Sequence, residues 1–207
     1  MKNKVVKQAL SKELTEFVYS YFLTKRKVAR KYFDDRFISP YTYEHGVWND
    51  EQVPETYSIY GDVAMETVLE RLKPTMEKET GLDLIETYSY ARIYKKGDIL
   101  ARHKDRYSCE VSATLALGGE SWPIFLEPSG EEGKDGVEIV LEPGDMLIYK
   151  GCEVEHWREA FEGENCGQVF LHYNDASAEE AEENKYDGRP FLGLPAWFKW
   201  WIYYKYK

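Results

Sequence analysis

The feature that most constrains the fold of this 207-residue sequence is a series of short apolar segments, each long enough for one β-strand. They are separated by turn signals such as Lys-Gly-Asp at 96–98, Gly-Gly at 118–119 and Pro-Gly-Asp at 143–145. About seven or eight short strands with regularly spaced turns indicate a β-sandwich or a β-barrel. The clearest segments are residues 86–94, 99–103, 111–117, 146–149, 153–158 and 168–173.

Two helical patterns precede these segments. Apolar residues recur at helical spacing from Val6 to Tyr21, which predicts a first helix over about residues 4–31 that packs one stripe on the sheet. Asp62 is expected to cap the start of a second helix and Gly81 to end it. Pro74 is expected to kink this helix or to split it.

The chain is long enough to bury a large core, so we expect one α+β domain with a mainly β core. Residues 1–81 are predicted to form helical support and a loop, and residues 82–175 the β core. Residues 176–207 are predicted to form a short acidic helix at 177–183 and an aromatic tail. Arg189 is expected to pin the turn at 186–190 through an ion pair.

Charge and cysteine usage narrow the choice of partner and compartment. With 27 Lys plus Arg against 37 Asp plus Glu, the net charge of -10 makes a nucleic-acid backbone a poor partner. The odd number of cysteines, without CxxC spacing, favours a reducing compartment. No apolar leader follows Met1 and no apolar run of about 18 residues occurs, so we expect a soluble, cytoplasmic protein without membrane contact.

Three residues in the β region are candidate metal ligands. Residues i and i+2 of a strand share a face, so His103 and Asp105 can bind one ion together. His156, 53 residues after His103, can supply the third ligand. Two imidazoles and one carboxylate with the opposite positions open suit non-haem Fe(II) in oxygen-using enzymes. His45 and His172 are expected to be histidines that bind no metal.

The context of these residues resembles a known family. Tyr94 stands nine residues before His103, the His-x-Asp pair opens a core strand, and Pro-Gly-Asp plus an apolar strand leads to His156. Residues 88–173 thereby resemble the core of the 2-oxoglutarate and Fe(II) dependent dioxygenases. Within them, the closest likeness is to the prolyl 4-hydroxylase-like branch and its small microbial and phage members.

The resemblance implies a double-stranded β-helix, a jelly-roll of cupin-like form, with the N-terminal helices packed on one sheet. It also implies a hydroxylase in which His103, Asp105 and His156 are the metal ligands and catalytic residues. Fe(II), the co-substrate 2-oxoglutarate and O2 follow from the same likeness, and ascorbate is an optional addition. The implied substrate is a prolyl or other side chain of a peptide, or a free amino acid.

One departure concerns the distal carboxylate of 2-oxoglutarate. The family usually carries Arg or Lys about ten residues after the distal histidine, but residues 163–168 contain no basic side chain. Arg158 is the best substitute, because two residues past His156 it shares the inward face of the strand. Arg92 and Lys150 are the alternative cations for this carboxylate. If Arg158 has only a structural role, we expect it to form an ion pair with Glu155 or Glu159.

Three further side chains are candidates for the co-substrate site. Tyr94 is expected to donate its phenol to the same carboxylate, and Ser112 and Thr114 to occupy inward positions on the neighbouring strand. Each has a structural alternative, because buried tyrosines and strand hydroxyls are common in cores.

Two aromatic segments outside the core leave their roles open. Residues 34–60 form either a packed connector or a substrate lid. The tail from Trp197 to Tyr206 is predicted to pack on the sheet edge or to form a homodimer contact, with a cleft wall as the alternative. Two other readings of the whole chain compete with the hydroxylase: a cupin-like metalloenzyme or metal sensor without 2-oxoglutarate, and a non-enzymatic β-sandwich that binds a partner.

Overall fold

The computed structural model describes residues 3–39 and 42–198 of the chain. The described residues form ten strands and two helices, together with short 3-10 helices at Tyr107–Cys109 and Lys185–Gly188. In chain order the elements are β1 (Asn3–Val6), α1 (Lys12–Asp34), β2 (Tyr57–Tyr60), α2 (Val63–Thr80), β3 (Leu84–Tyr94), β4 (Leu100–His103), β5 (Val111–Gly119), β6 (Ile124–Leu126), β7 (Val137–Ile139), β8 (Met146–Tyr149), β9 (His156–Arg158) and β10 (Cys166–Asp175).

The strands form two antiparallel sheets. The larger has six strands in the order β1-β8-β5-β10-β3-β2, and the smaller has four in the order β4-β9-β6-β7. Apolar side chains of both sheets pack together between them, for example Leu147 and Tyr149 of β8 with Ile124 and Leu126 of β6. This arrangement confirms the α+β fold class with a mainly β core.

Both helices pack on the outer face of the six-stranded sheet, as predicted. Phe22 of α1 and Leu69 of α2 are fully buried in one cluster with Leu115 of β5 and Val169 of β10. Each such side chain contributes roughly 1.5–3 kcal/mol when it leaves water. The inner face of the same sheet therefore remains available for polar side chains.

The first helix begins later than predicted. Residues 3–6 form β1 and pair with β8, in a register that places Val5 opposite Leu147. Ser11 caps α1, its Oγ accepting a hydrogen bond of 3.4 Å from the Leu14 amide. The expected start at residue 4 is wrong because the sheet offers these residues an unpaired edge, a long-range partner that helical spacing does not reveal.

The bounds of α2 are those predicted. Asp62 Oδ1 accepts hydrogen bonds from the amides of Ala64 and Met65 at 3.0 and 3.2 Å. Gly81 ends the helix in the left-handed region with φ 75°. The helix continues through Pro74, so the predicted split is wrong.

The acidic helix predicted at residues 177–183 is absent, since the structure shows turns over these residues. Asp175 Oδ1 accepts hydrogen bonds from both the amide and the hydroxyl of Ser177, which favours a turn. Glu179 and Glu183 would stand four residues apart on a helix too short to offset their repulsion.

Arg189 pins the C-terminal turn as expected. Its Nη2 lies 2.7 Å from Oε1 of Glu66 on α2, and both side chains are fully buried. Tyr186 and Asp187 adopt positive φ angles of 53° and 55° just before it. The turn is thus fastened to the helix by a buried ion pair.

The aromatic segment after α1 is mainly a packed connector. Trp48 packs against Phe33 and Tyr57, with ring centroids 5.6 and 4.8 Å apart respectively. Trp197 donates a hydrogen bond of 2.8 Å to Glu44 in the same segment. The tail from residue 199 onward, on which the predicted homodimer contact depends, lies outside the described residues. Among the described helices, none is long and apolar enough to cross a bilayer.

Candidate metal centre and adjoining cavity

The three predicted metal ligands converge from two strands of the smaller sheet. His103 ends β4 and His156 begins β9, and the two residues are antiparallel partners. A register shift between Leu100 and His103 marks a β-bulge, a device that re-aims a side chain. The pair His-x-Asp therefore closes its strand, where the sequence predicted that it opens one. Asp105 lies beyond the strand, and its amide donates a hydrogen bond of 2.9 Å to Gly151 O.

The geometry of the triad is suited to a single ion. Nε2 of His103 and of His156 lie 3.6 and 3.5 Å from Oδ1 of Asp105. The two imidazole centroids are 4.2 Å apart, and the three ligand atoms all lie within 4.8 Å of one another. The structure thus brings together all three residues that the sequence singled out.

Backbone carbonyls orient both imidazoles. Nδ1 of His103 lies 2.7 Å from Ala101 O, and Nδ1 of His156 lies 3.3 Å from Val154 O. A carbonyl only accepts, so each Nδ1 carries the proton and each neutral ring presents the Nε2 lone pair to the centre.

The electrostatics of the triad favour a cation. Burial raises the pKa of the Asp105 carboxyl, but the hydrogen bonds that the His103 and His156 rings donate when protonated outweigh burial and hold that pKa well below its usual range. Burial lowers the pKa of His103, yet the hydrogen bonds that its protonated ring makes to Asp105 and to Ala101 O shift it upward overall. Asp105 is therefore an anion at neutral pH, placed between two nitrogen donors.

The triad lies on the wall of a cavity of about 360 Å³ between the two sheets. Its other lining residues come from β3, β4, β6, β8, β10 and adjoining loops, and they include four aromatic side chains. These are Tyr88, Tyr90, Tyr149 and Phe170. The ligand atoms thus face a space large enough for a small molecule.

Arg158 is a buried cation on β9, two residues after His156; it does not line the cavity, whereas Arg92 does. Arg158 is 1% exposed, and its guanidinium lies 5.0 Å from the centroid of the Trp122 ring. Nη1 donates to Trp122 O, while Nε and Nη2 have no partner among the described residues. A buried guanidinium with two unpaired donors is costly, and a carboxylate anion fits it.

No acidic side chain neutralises Arg158 in the described part of the chain. Glu155 instead pairs with Arg102 at 2.6 Å, and Glu159 Oε1 accepts from Trp157 Nε1 at 3.0 Å. The ion pair that would explain Arg158 structurally is therefore not formed with either predicted partner.

A cysteine of β10 lies beside Arg158, in the region where the family usually carries a basic residue. Cys166, ten residues after His156, is buried close to Arg158. Burial raises the pKa of the Cys166 thiol, and the nearby guanidinium partly opposes this rise. A small residue on β10 thus leaves room for a long basic side chain from β9.

The two alternative cations have protein partners. Arg92 Nη2 donates to Asp50 Oδ2 at 2.6 Å and to Gln52 Oε1 at 3.0 Å. Lys150 Nζ lies 4.0 Å from Glu110 and 3.5 Å from Glu153. Both alternatives are therefore less suited to an incoming carboxylate than Arg158.

The three predicted polar side chains around the co-substrate fall in different places. Tyr94 is fully buried and its hydroxyl accepts from Arg92 Nη1 at 3.3 Å, so its own proton remains available. Ser112 Oγ lies 3.3 Å from Asp105 Oδ2, beside the metal ligand. Thr114 donates to Gln168 Oε1 at 3.2 Å, which occupies its hydroxyl.

Sequence reasoning missed Gln52, which the structure places at the triad. It lies in the loop before β2, a segment with little periodicity and no motif, so no local signal pointed to it. Asp50 and Gln52 are the two residues of that loop that line the cavity. His172, expected to bind no metal, also lines the cavity, and burial lowers its pKa to about 4.

Comparison with known proteins supports the fold. No protein-family model matches this sequence, and no curated protein matches it at a significant level. Among solved structures, a prolyl-4-hydroxylase from Pseudomonas putida is similar with a TM-score of 0.56 and 18% identity, over 84% of this chain and 93% of that chain.

Two other solved structures are similar to the chain. HygX from Streptomyces hygroscopicus, with nickel, 2-oxoglutarate and hygromycin B bound, gives a TM-score of 0.60 and 12% identity over 84% of this chain and 83% of that chain. The non-heme alpha ketoglutarate dependent epimerase SnoN from nogalamycin biosynthesis gives 0.60 and 14%, over 84% and 76%. The fold that the resemblance implied, the double-stranded β-helix shared with 2-oxoglutarate oxygenases, is thereby confirmed.

Proposed function

We propose that this protein is a 2-oxoglutarate and Fe(II) dependent dioxygenase that hydroxylates an unactivated C–H bond. One observation carries the proposal: His156 of the open triad and the unpaired, buried Arg158 stand two residues apart on β9. One end of the strand can hold a metal, and the other can hold the carboxylate of a metal-bound oxo acid.

The donor set of the triad fits Fe(II). His103, Asp105 and His156 would hold the ion through two imidazole nitrogens and one carboxylate oxygen, and the cavity side stays open for other ligands. With 2-oxoglutarate, the bound ion supplies the chemistry that activates oxygen and oxidises a C–H bond. The protein holds the ligand nitrogens in the required tautomer through Ala101 O and Val154 O.

Arg158 would bind the distal carboxylate of 2-oxoglutarate. Its Nε and Nη2 can donate two hydrogen bonds to one carboxylate, and Tyr94, whose ring also packs against Trp122, can donate a third. The apolar side chains of Leu100, Ile124 and Phe170 line the cavity and would help to exclude water from it.

For the substrate, we propose a prolyl or other side chain of a peptide, or a free amino acid. Tyr88 and Tyr90 present flat aromatic walls to the cavity, which suit a proline ring or an extended chain. The similarity to a prolyl-4-hydroxylase supports this choice, whereas SnoN carries an epimerase activity on a similar fold. None of the described residues after 175 lines the cavity, so its aromatic walls come from the core strands.

The second candidate function is a cupin-like metalloprotein without 2-oxoglutarate chemistry. The lack of a basic residue at 163–168 favours it. The unpaired donors of Arg158 beside Cys166 favour the oxygenase, because they offer a carboxylate the same contact from another strand.

The test is succinate release on mixing the protein with Fe(II), ascorbate, O2 and 2-oxoglutarate. Proline-containing peptides, free proline and other amino acids are added in parallel, and a +16 Da product is sought by mass spectrometry. We expect Asp105→Ala to lose both iron retention and succinate release, because it removes the charged ligand.

Asp135→Ala, which removes an exposed carboxylate between β6 and β7, is the matched control and should keep both. Circular dichroism excludes unfolding. One equivalent of iron bound by Asp105→Ala with unchanged affinity would overturn the metal assignment. Metal retention without any succinate would favour the cupin-like candidate.

A further inference from the structure

A second group of potential metal ligands lines the same cavity. Asp105, Cys109 and His172 each offer one ligand atom, and these atoms lie within 4.8 Å of one another. Cys109 belongs to the 3-10 helix that precedes β5, and His172 lies on β10. The sequence showed no such group, since 63 residues separate Cys109 from His172.

The Asp105 carboxylate faces both groups at once. Its Oδ1 is the atom closest to the nitrogens of His103 and His156. Its Oδ2 instead lies 3.3 Å from Ser112 Oγ, which in turn lies 2.9 Å from Nδ1 of His172. One carboxylate thus directs one oxygen to each group, as in bridged two-metal sites.

We propose that Asp105, Cys109 and His172 form a second metal position, selective for a thiophilic divalent cation such as Zn(II). This proposal rests on the proposed function because the second position shares Asp105 with the Fe(II) centre. The sulfur of Cys109 and the nitrogen of His172 belong to the second position alone. One sulfur, one nitrogen and one oxygen are the donor types of zinc sites, and a thiolate favours zinc over harder ions.

The geometry requires only small movements. A tetrahedral zinc ion holds such ligand atoms roughly 3.3–3.6 Å apart. Side-chain rotations that move the three ligand atoms by about 1 Å therefore bring them to these distances. The Cys109 thiol loses its proton to solvent on binding, and the sulfur keeps a partner because the Tyr88 hydroxyl lies 3.1 Å from Sγ. Both Cys109 and His172 border the cavity, which provides the entry path and the open fourth position.

Occupation of this position has a consequence for the oxygenase centre. The second cation would take Asp105 Oδ2 from Ser112 and would fill the cavity beside Tyr88, a wall proposed for substrate. Zinc bound at this position is therefore expected to inhibit turnover.

Anaerobic titration of the metal-free protein with Co(II) tests the proposal, because Co(II) adopts zinc sites and reports its ligands. Thiolate ligation produces a charge-transfer band in the near ultraviolet, whereas a site of two histidines and one aspartate produces only weak visible bands. We expect two equivalents to bind to the wild type, with the near-ultraviolet band present. The variant Cys109→Ser should lose that band and bind one equivalent.

Control variants isolate the position. Cys152→Ser removes a half-buried thiol outside the group and should keep the band. His103→Ala should keep the band at one equivalent, because it damages only the first centre. If Cys109→Ser does not fold, as judged by circular dichroism, His172→Asn provides the same test.

The outcomes separate this proposal from the proposed function. One equivalent bound without the band overturns the second position and leaves the triad standing. A band in the wild type with no metal bound by Cys109→Ser supports the thiolate position and overturns the triad. A band lost in Cys152→Ser and kept in Cys109→Ser, or no metal bound at all, overturns the second position.

Discussion

Gln52 Nε2 lies 3.0 Å from His103 Nε2, the nitrogen proposed to bind iron. Arg92 donates to the Oε1 atom of the same amide, so the amide turns its N–H groups toward His103. Because His103 Nδ1 already donates to Ala101 O, the neutral ring accepts the Gln52 hydrogen bond with its metal-binding lone pair. The loop before β2 therefore competes with the metal for His103.

Gln52→Ala should strengthen metal binding. The hydrogen bond that the metal must displace is worth about 1 kcal/mol, so the dissociation constant for Mn(II) should fall roughly fivefold. Isothermal titration calorimetry measures it, with Gln8→Ala, an exposed glutamine on the other side of the fold, as the control. Weaker binding in Gln52→Ala would instead mean that the amide supports the occupied centre.

Arg158→Ala should weaken the binding of 2-oxoglutarate by about ten- to a hundredfold, because charge-assisted hydrogen bonds contribute roughly 1.5–3 kcal/mol. Arg158→Lys should restore part of the affinity. Anaerobic titration of the Fe(II)-loaded protein checks both variants, with Lys96→Ala, an exposed lysine, as the matched removal of a cation. Normal binding in Arg158→Ala together with a defect in Arg92→Ala would assign the carboxylate to Arg92.

Metal affinity should fall at acidic pH. The pKa of His103 is raised, so its proton competes with the metal as pH drops through that pKa, by about tenfold per pH unit for one proton. The pKa of Asp105 lies well below its usual range, so this carboxylate stays ionised there. Mn(II) dissociation constants measured between about pH 5 and 8 test the sign, and affinity that rises on acidification would contradict it.

Glu66→Ala should destabilise the fold by roughly 3–5 kcal/mol, because it leaves the buried Arg189 guanidinium without its counter-charge. Urea unfolding gives the free energy. Asp35→Ala breaks a largely exposed pair with Lys31 and should cost at most about 1 kcal/mol. If both variants lose the same free energy of unfolding, burial does not determine how much the Glu66–Arg189 pair stabilises the fold.

Short-range signals in the sequence predicted the elements that depend on them. The caps of α2 at Asp62 and Gly81 needed only neighbouring residues, and the His-x-Asp pair together with His156 identified the three residues of the triad. Arg158 followed from the same two-residue period on β9. These features were accessible because backbone hydrogen bonding and side-chain alternation act over a few residues.

The tertiary structure decided what depends on distant partners. Residues 3–6 form a strand because they pair with the edge of β8. Asp105 lies beyond β4, and its amide donates a hydrogen bond to Gly151 O. The contact of Gln52 with His103 joins residues 51 positions apart, and the division of the Asp105 carboxylate between two ligand groups depends on β10. The sequence alone determined the features that depend on residues a few positions apart. The tertiary structure determined which side chains share one cavity, because packing brings together residues that no local period relates.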